Sequence, residues 1–78
     1  MSALCERFRL WEILLNKLEH GSQRWTDLEK AVVRDNRFSS AMFRKAICDL
    51  KVNRYIMQET RRAPYKITKR GRLWLQSR

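Results

Sequence analysis

The stretch SSAMFRKAICDLKVNRYIMQETRRAPYKITKRG, from Ser39 to Gly71, reads as a capped helix, a hairpin and the start of a further helix. Ser39 or Ser40 can cap a helix running to about Val52, in which Phe43, Ile47 and Leu50 fall on one face at i, i+4 and i+7. That spacing leaves Ala41, Met42, Arg44, Lys45, Cys48 and Lys51 on or near the outer surface, so a basic face stands opposite a plain apolar stripe. Next come two β-favouring runs, Tyr55 to Thr60 and Tyr65 to Thr68, around Arg61-Arg62-Ala63-Pro64. Pro64 cannot donate to a ladder, which assigns it to the hairpin's tip or to an edge. Thr68 then caps a last helix, Lys69 to Gln76, whose apolar content is Leu73, Trp74 and Leu75.

Working back from that stretch, Leu4, Phe8, Trp11, Leu15 and Leu18 recur at three- and four-residue steps, widened by Leu14, and predict a helix from Ala3 to about His20. Gly21 stands where a helix takes its left-handed C′ residue, and His20 faces the negative end of the dipole. Thr26-Asp27-Leu28-Glu29 has the form of a capping box, with Thr26 as the cap and Leu28, Ala31 and Val32 as a short buried face. Arg34-Asp35-Asn36-Arg37 interrupts the pattern as a turn. The predicted order is helix, helix, helix, hairpin, helix: one α+β domain, mostly α, over residues 1–78.

Charge is divided unevenly along this plan. Residues 1–35 balance six basic side chains against six acidic ones, whereas residues 36–78 carry twelve basic side chains against Asp49 and Glu59, so the second half holds the whole net charge of +10. Such a field favours a polyanionic partner. A chain of 78 residues has room for one small core, burying roughly 60% of the surface its unfolded form exposes. No staple supplements that core, because Cys5 and Cys48 form no CxxC pair and His20 is the sole imidazole, which argues against a zinc site or a disulfide scaffold. No apolar run is longer than the three residues of Ile13-Leu14-Leu15, so the chain is expected to be soluble and cytoplasmic, with no membrane segment. Catalysis has nothing to work with: one histidine, no glycine-rich phosphate loop and no nucleophile spaced from a base.

The stretch from Arg24 to Gln76 resembles the winged helix-turn-helix of small prokaryotic transcription regulators of the MarR, PadR and HxlR kind. The parts that carry the resemblance are Trp25-Thr26-Asp27-Leu28, for a strand residue and capped helix, then Ser39 to Lys45 opening the third helix. Leu50-Lys51-Val52-Asn53-Arg54-Tyr55-Ile56 follows, and the closing phrase is Tyr65-Lys66-Ile67-Thr68-Lys69-Arg70-Gly71. Their order together is specific, while each alone is weak. The resemblance implies a recognition helix at 39–52 in the major groove of double-stranded DNA and a wing at 58–66 on the minor groove or backbone. Ser39, Ser40, Ala41, Met42, Arg44 and Lys45 are then the groove-facing candidates, with Arg44 and Lys45 nearest the bases. Arg61 and Arg62 are assigned to the minor groove or its phosphates, and Lys66, Lys69 and Arg70 to sequence-blind backbone contacts. Arg54 stands where the family has glycine, so the turn leaving the third helix is expected to use Asn53 in the left-handed region. The connection from Val33 to Phe38 is longer than the family's turn.

Other readings of the same residues stand beside this one. A basic helix face taken alone is a solvated surface, and Arg61-Arg62 alone is a turn that blunts an edge strand with charge. Tyr55 and Tyr65 can stack on RNA bases, although packing in the hairpin is the ordinary use. The cysteines read as ordinary thiols, with Cys48 on the basic helix the only place for a redox switch. A winged helix can also serve as a protein-interaction or assembly module, or bind RNA. Leu10 and Ile13 fall outside the first helix's stripe and, with Trp11, Trp74 and Leu75, are expected at a homodimer interface that sets two recognition helices about 34 Å apart. The sequence reading is therefore a dimeric, nucleoid-associated DNA-binding regulator, with no cofactor, no metal and little room for an effector.

Overall fold

A computed structural model describes residues 3–77, with side chains from Phe8 onward; Leu4 and Cys5, which entered the sequence reading, lie outside the residues whose side chains are described. The elements follow the predicted order. Helix α1 spans Ala3–Glu19, α2 spans Trp25–Glu29 and continues as a π-helical turn over Lys30–Arg34, and α3 spans Ser40–Val52. The strands β1 (Ile56–Met57) and β2 (Lys66–Ile67) pair antiparallel, Ile56 opposite Ile67 and Met57 opposite Lys66, and α4 (Lys69–Gln76) closes the chain's described part. Both strands are shorter than the β-favouring runs that predicted them.

Helix α1 is the centre of the molecule because it packs against α3, α4, β2 and the π-helical turn together. Its Leu10, Trp11, Leu14, Leu15 and Leu18 are all buried, and they join Leu28 and Val32 of the second helix with Phe43, Ala46, Ile47 and Leu50 of α3. A helix with partners on several sides needs apolar residues over most of its girth. This corrects the assignment of Leu10 and Trp11 to a homodimer interface: their exposures are 2% and 5%, within the chain's own core. Trp11 sits in an aromatic group with Phe8 at 5.5 Å, Tyr55 at 5.8 Å and Trp74 at 5.8 Å between ring centroids. Ile13, Trp74 and Leu75 are half-buried against the same core, while Leu73 is 55% exposed. Among the described residues no helix is long and apolar enough to cross a membrane.

The second helix begins earlier than its sequence suggests. Gln23 forms a β-bridge with Tyr65, Gln23 N–H to Tyr65 O at 3.0 Å and Tyr65 N–H to Gln23 O at 2.7 Å, so the backbone is extended up to Arg24 and turns helical at Trp25. Arg24 is the N-cap residue, and the Asp27 carboxylate accepts its N–H at 3.4 Å. Thr26 is therefore inside the helix and does not cap it, and the strand residue is Gln23, with Trp25 opening the helix. At the other end the helix widens: Asp35 N–H reaches back five residues to Lys30 O, and the Asn36 amide donates to Ala31 O at 2.6 Å. Arg37 then adopts φ +59° to deliver Phe38 to the core.

Helix α3 ends in a Schellman motif. Arg54 N–H donates to Lys51 O and Tyr55 N–H to Leu50 O, while Arg54 takes φ +62°. Asn53, expected in the left-handed region, instead lies at φ −83° and its amide donates to Asp49 O at 2.8 Å. The Thr68 side chain fastens this turn to α4, donating to Arg54 O at 2.6 Å and accepting from Gly71 N–H at 3.1 Å. Gly71 is buried, and a Cβ there would overlap the Tyr55 carbonyl oxygen and press Ile67.

Two substitutions should therefore shift stability in opposite directions. Gly71→Ala is expected to destabilise by about 1–3 kcal/mol through overpacking against backbone. Arg54→Gly is expected to stabilise by about 1 kcal/mol through relief of the left-handed side-chain conflict, raising Tm by about 4–8 °C. Thermal melts followed by circular dichroism measure both.

Candidate nucleic-acid interface

Four buried residues, Phe43, Ala46, Ile47 and Leu50, fix the rotation of α3, and the opposite face is left to solvent. Ala41, Met42, Arg44, Lys45, Cys48 and Lys51 are all exposed there. Ser39 is the N-cap, extended at φ −72° and ψ 154°, and its hydroxyl accepts the Met42 N–H at 3.1 Å. Ser40 is the first helical residue, and the first turn of α3 carries no carboxylate of its own. Asp49, half-buried, is the one acidic residue of α3.

The hairpin turn is held by a side chain. The Gln58 amide donates to Arg61 O at 3.0 Å and to Ala63 O at 2.8 Å, and this leaves Arg61 and Arg62 exposed on a tied loop. Lys66 differs from them, because its Nζ lies 3.0 Å from the Glu59 carboxylate. Both side chains of that pair are exposed, so it adds little stability, yet it offsets the Lys66 charge locally.

Aromatic packing sets the hairpin against α3. Trp25 lies edge-on to Phe43 at 4.7 Å and tilts against Tyr65 at 6.4 Å, while the Lys51 ammonium lies 5.8 Å from the centre of the Tyr65 ring. Tyr65 is buried, and that burial raises its phenol above the ordinary value of 10.0. Tyr55 is half-buried beneath the Arg70 guanidinium, 5.7 Å from its ring centre.

Two clefts join these elements into one surface. A cleft of about 390 Å³ lies between the hairpin turn and the start of α2, bounded by Arg24, Thr26, Gln58, Arg61 and Arg62, with Trp25 and Tyr65 beneath. A second, of about 310 Å³, lies between the second helix and the start of α3, with Thr26, Glu29, Lys30, Arg34 and Ser40 on its walls. Thr26 lines both, so the surface runs from Arg61 and Arg62 past Arg24 to Ser40. Arg24, Lys30 and Arg34 escape the sequence reading, since nothing local signals that residues before and along the second helix share a wall with the hairpin and α3.

Lys69 and Arg70 lie elsewhere. The bond from Thr68 to Arg54 O sets them beside Arg54 at the C-terminal end of α3, away from Ser39. Among the described residues no group of three histidine, cysteine, aspartate or glutamate side chains is arranged to hold a metal ion.

No protein-family model matches the chain, and no curated protein is similar to it in sequence. Among solved structures, a transcriptional regulator from Clostridium thermocellum, Cth-833, superposes with a TM-score of 0.76, covering 99% of this chain and 82% of its own, at 24% sequence identity. The two proteins share a fold.

The Ser39 cap gives this surface a direct check. Ser39→Ala removes the acceptor for Met42 N–H and is expected to cost about 1 kcal/mol. Amide hydrogen exchange should locate the loss in the first turn of α3, with α1 protected as before.

Proposed function

We propose that this chain is a sequence-specific double-stranded DNA-binding protein of winged-helix build, acting as a transcriptional regulator. The observation that carries the reading is the α3 face: Arg44, Lys45 and Lys51 are exposed together opposite a buried stripe, beside a tied hairpin turn bearing Arg61 and Arg62. A helix of that form fits the major groove of B-DNA, and arginine can grip guanine through two hydrogen bonds. Arg44 and Lys45 act at or near the bases, Met42 or Ala41 touches a thymine methyl, and Ser39 and Ser40 bring the open helix end to a phosphate. Arg61 and Arg62, on the wing, enter the neighbouring minor groove or clasp its phosphates. Lys66, Lys69 and Arg70 add backbone contacts without reading sequence, Lys66 by exchanging its Glu59 partner for phosphate. The shared fold with a protein named as a transcriptional regulator supports the same conclusion.

Homodimerisation completes the proposal. With Leu10 and Trp11 in the core, a two-fold mate would meet Ile13, Trp74 and Leu75 together with the exposed Leu73. Sedimentation at micromolar concentration should give twice the monomer mass, and a folded monomer would remove this part of the reading.

Binding to a random duplex pool over a salt series, with single-stranded RNA of equal length alongside, tests the main proposal. Affinity for the duplex should fall linearly in log salt, as expected when several phosphates are neutralised. Arg44→Ala should then cost about 1–3 kcal/mol more on a selected duplex than on a random one, whereas Lys69→Ala should weaken both alike. Equal losses from the two changes on both duplexes would mean that α3 does not read sequence.

A further inference from the structure

We infer that the cleft between α2 and the hairpin turn is a phosphate-binding subsite, with Arg24, Arg61 and Arg62 as its cations and a backbone phosphate of the duplex as its ligand. The inference rests on the duplex-binding reading and adds to it a residue from outside the recognition helix and the wing. Arg24 and the two hairpin arginines are far apart in sequence, and all three line one cleft.

Among the described residues nothing acidic lines that cleft. Of the carboxylates on the adjoining elements, Asp27 accepts the Arg24 backbone N–H, Glu59 pairs with Lys66, and Glu29 lines the neighbouring cleft with Lys30 and Arg34. Three arginines on one cleft carry like charges that repel, so an anion bound there relieves that repulsion as well as forming bonds. Guanidinium suits phosphate oxygens because its planar fork donates two parallel hydrogen bonds.

The walls are fixed before any ligand arrives. The paired hydrogen bonds of Gln23 and Tyr65 hold the backbone next to Arg24 against the hairpin, and the two bonds from Gln58 hold the turn that carries Arg61 and Arg62. Tyr65 is buried beneath, so the two walls share one anchor. Pre-set donors lose less freedom on binding than donors on free loops. At about 390 Å³ the cleft admits a phosphate with its sugar. No base edge is read there, so the subsite strengthens binding to every sequence equally.

The test compares duplex affinity over a salt series for the wild-type chain, Arg24→Gln, Arg61→Gln and the double variant, with exposed Arg9→Gln on α1 as the control. Arg24→Gln is expected to weaken selected and random duplexes alike, by roughly five- to tenfold, and to reduce the log–log salt slope by about 0.9, the value for one phosphate contact. Because Arg24 and Arg61 hold the same group, the double variant should lose less than the product of the single losses. Arg24→Lys should keep the slope while losing part of the affinity. A slope and affinity for Arg24→Gln that match Arg9→Gln would overturn the subsite while leaving the duplex reading intact. Thermal shift with millimolar pyrophosphate separates the remaining cases. Stabilisation of wild type but not of Arg24→Gln, without duplex binding, would retain the subsite for a free phosphorylated ligand and end the duplex reading. Neither duplex binding nor Arg24-dependent stabilisation by pyrophosphate would overturn both.

Discussion

The carbonyl of Tyr55 receives the Thr68 N–H at 3.0 Å and lies where a side chain on residue 71 would have to go. Because residue 71 is glycine, α4 can lie directly on the turn that ends α3 while packing against α1. The Tyr55 N–H meanwhile closes the end of α3 on Leu50, and its ring joins the aromatic group of α1 and α4. One residue thus links the end of α3, the entry to β1 and the seat of α4. The strain of Arg54 in the left-handed region is held in place by the same bonds, including Thr68 on its carbonyl.

This fastening has electrostatic consequences. A small core cannot absorb polar groups cheaply, and among the described residues no charged or polar side chain is fully buried. The excess positive charge is consequently all on the surface, where it repels itself and is relieved by screening or by an anion. Part of this charge gathers around the start of α3, the second helix and the hairpin turn, and part where Arg54, Lys69 and Arg70 stand at the other end of α3.

How much of this was legible depended on whether the governing interaction was local. The extent and buried face of α3 were readable, because a serine cap at Ser39 or Ser40 and the Phe43–Ile47–Leu50 spacing are neighbours in sequence. The end of α1 was readable from Gly21, which takes φ +148°, although more extended than the left-handed helical value expected there. The start of the second helix was not readable, since a bridge from Gln23 to distant Tyr65 overrules the Thr26 capping pattern. Asn53 was a reasonable choice for the left-handed turn by preference, but its side chain closes the helix instead and passes that conformation to Arg54. Leu10 falls outside the stripe, and Trp11 is expected at an interface although it lies on the stripe, only because α1's several partners cannot be counted from the sequence. For the same reason, the α3 candidates were visible as a face, while Arg24 became visible only when the hairpin was folded back beside it.

The pairing of α1 with α4 bears on how the chain folds during its synthesis. Helix α1 has its apolar surface completed by β2 and α4, elements separated from it by most of the sequence. Contacts of such long range must await loop closure, which slows folding and makes it cooperative. Until α4 has left the ribosome, Trp11 and its neighbours have no complete enclosure, and the nascent segment carries a wide apolar helix open to chaperones. The basic surface acquires its final shape only when α4 is seated on α1 and on the turn that ends α3.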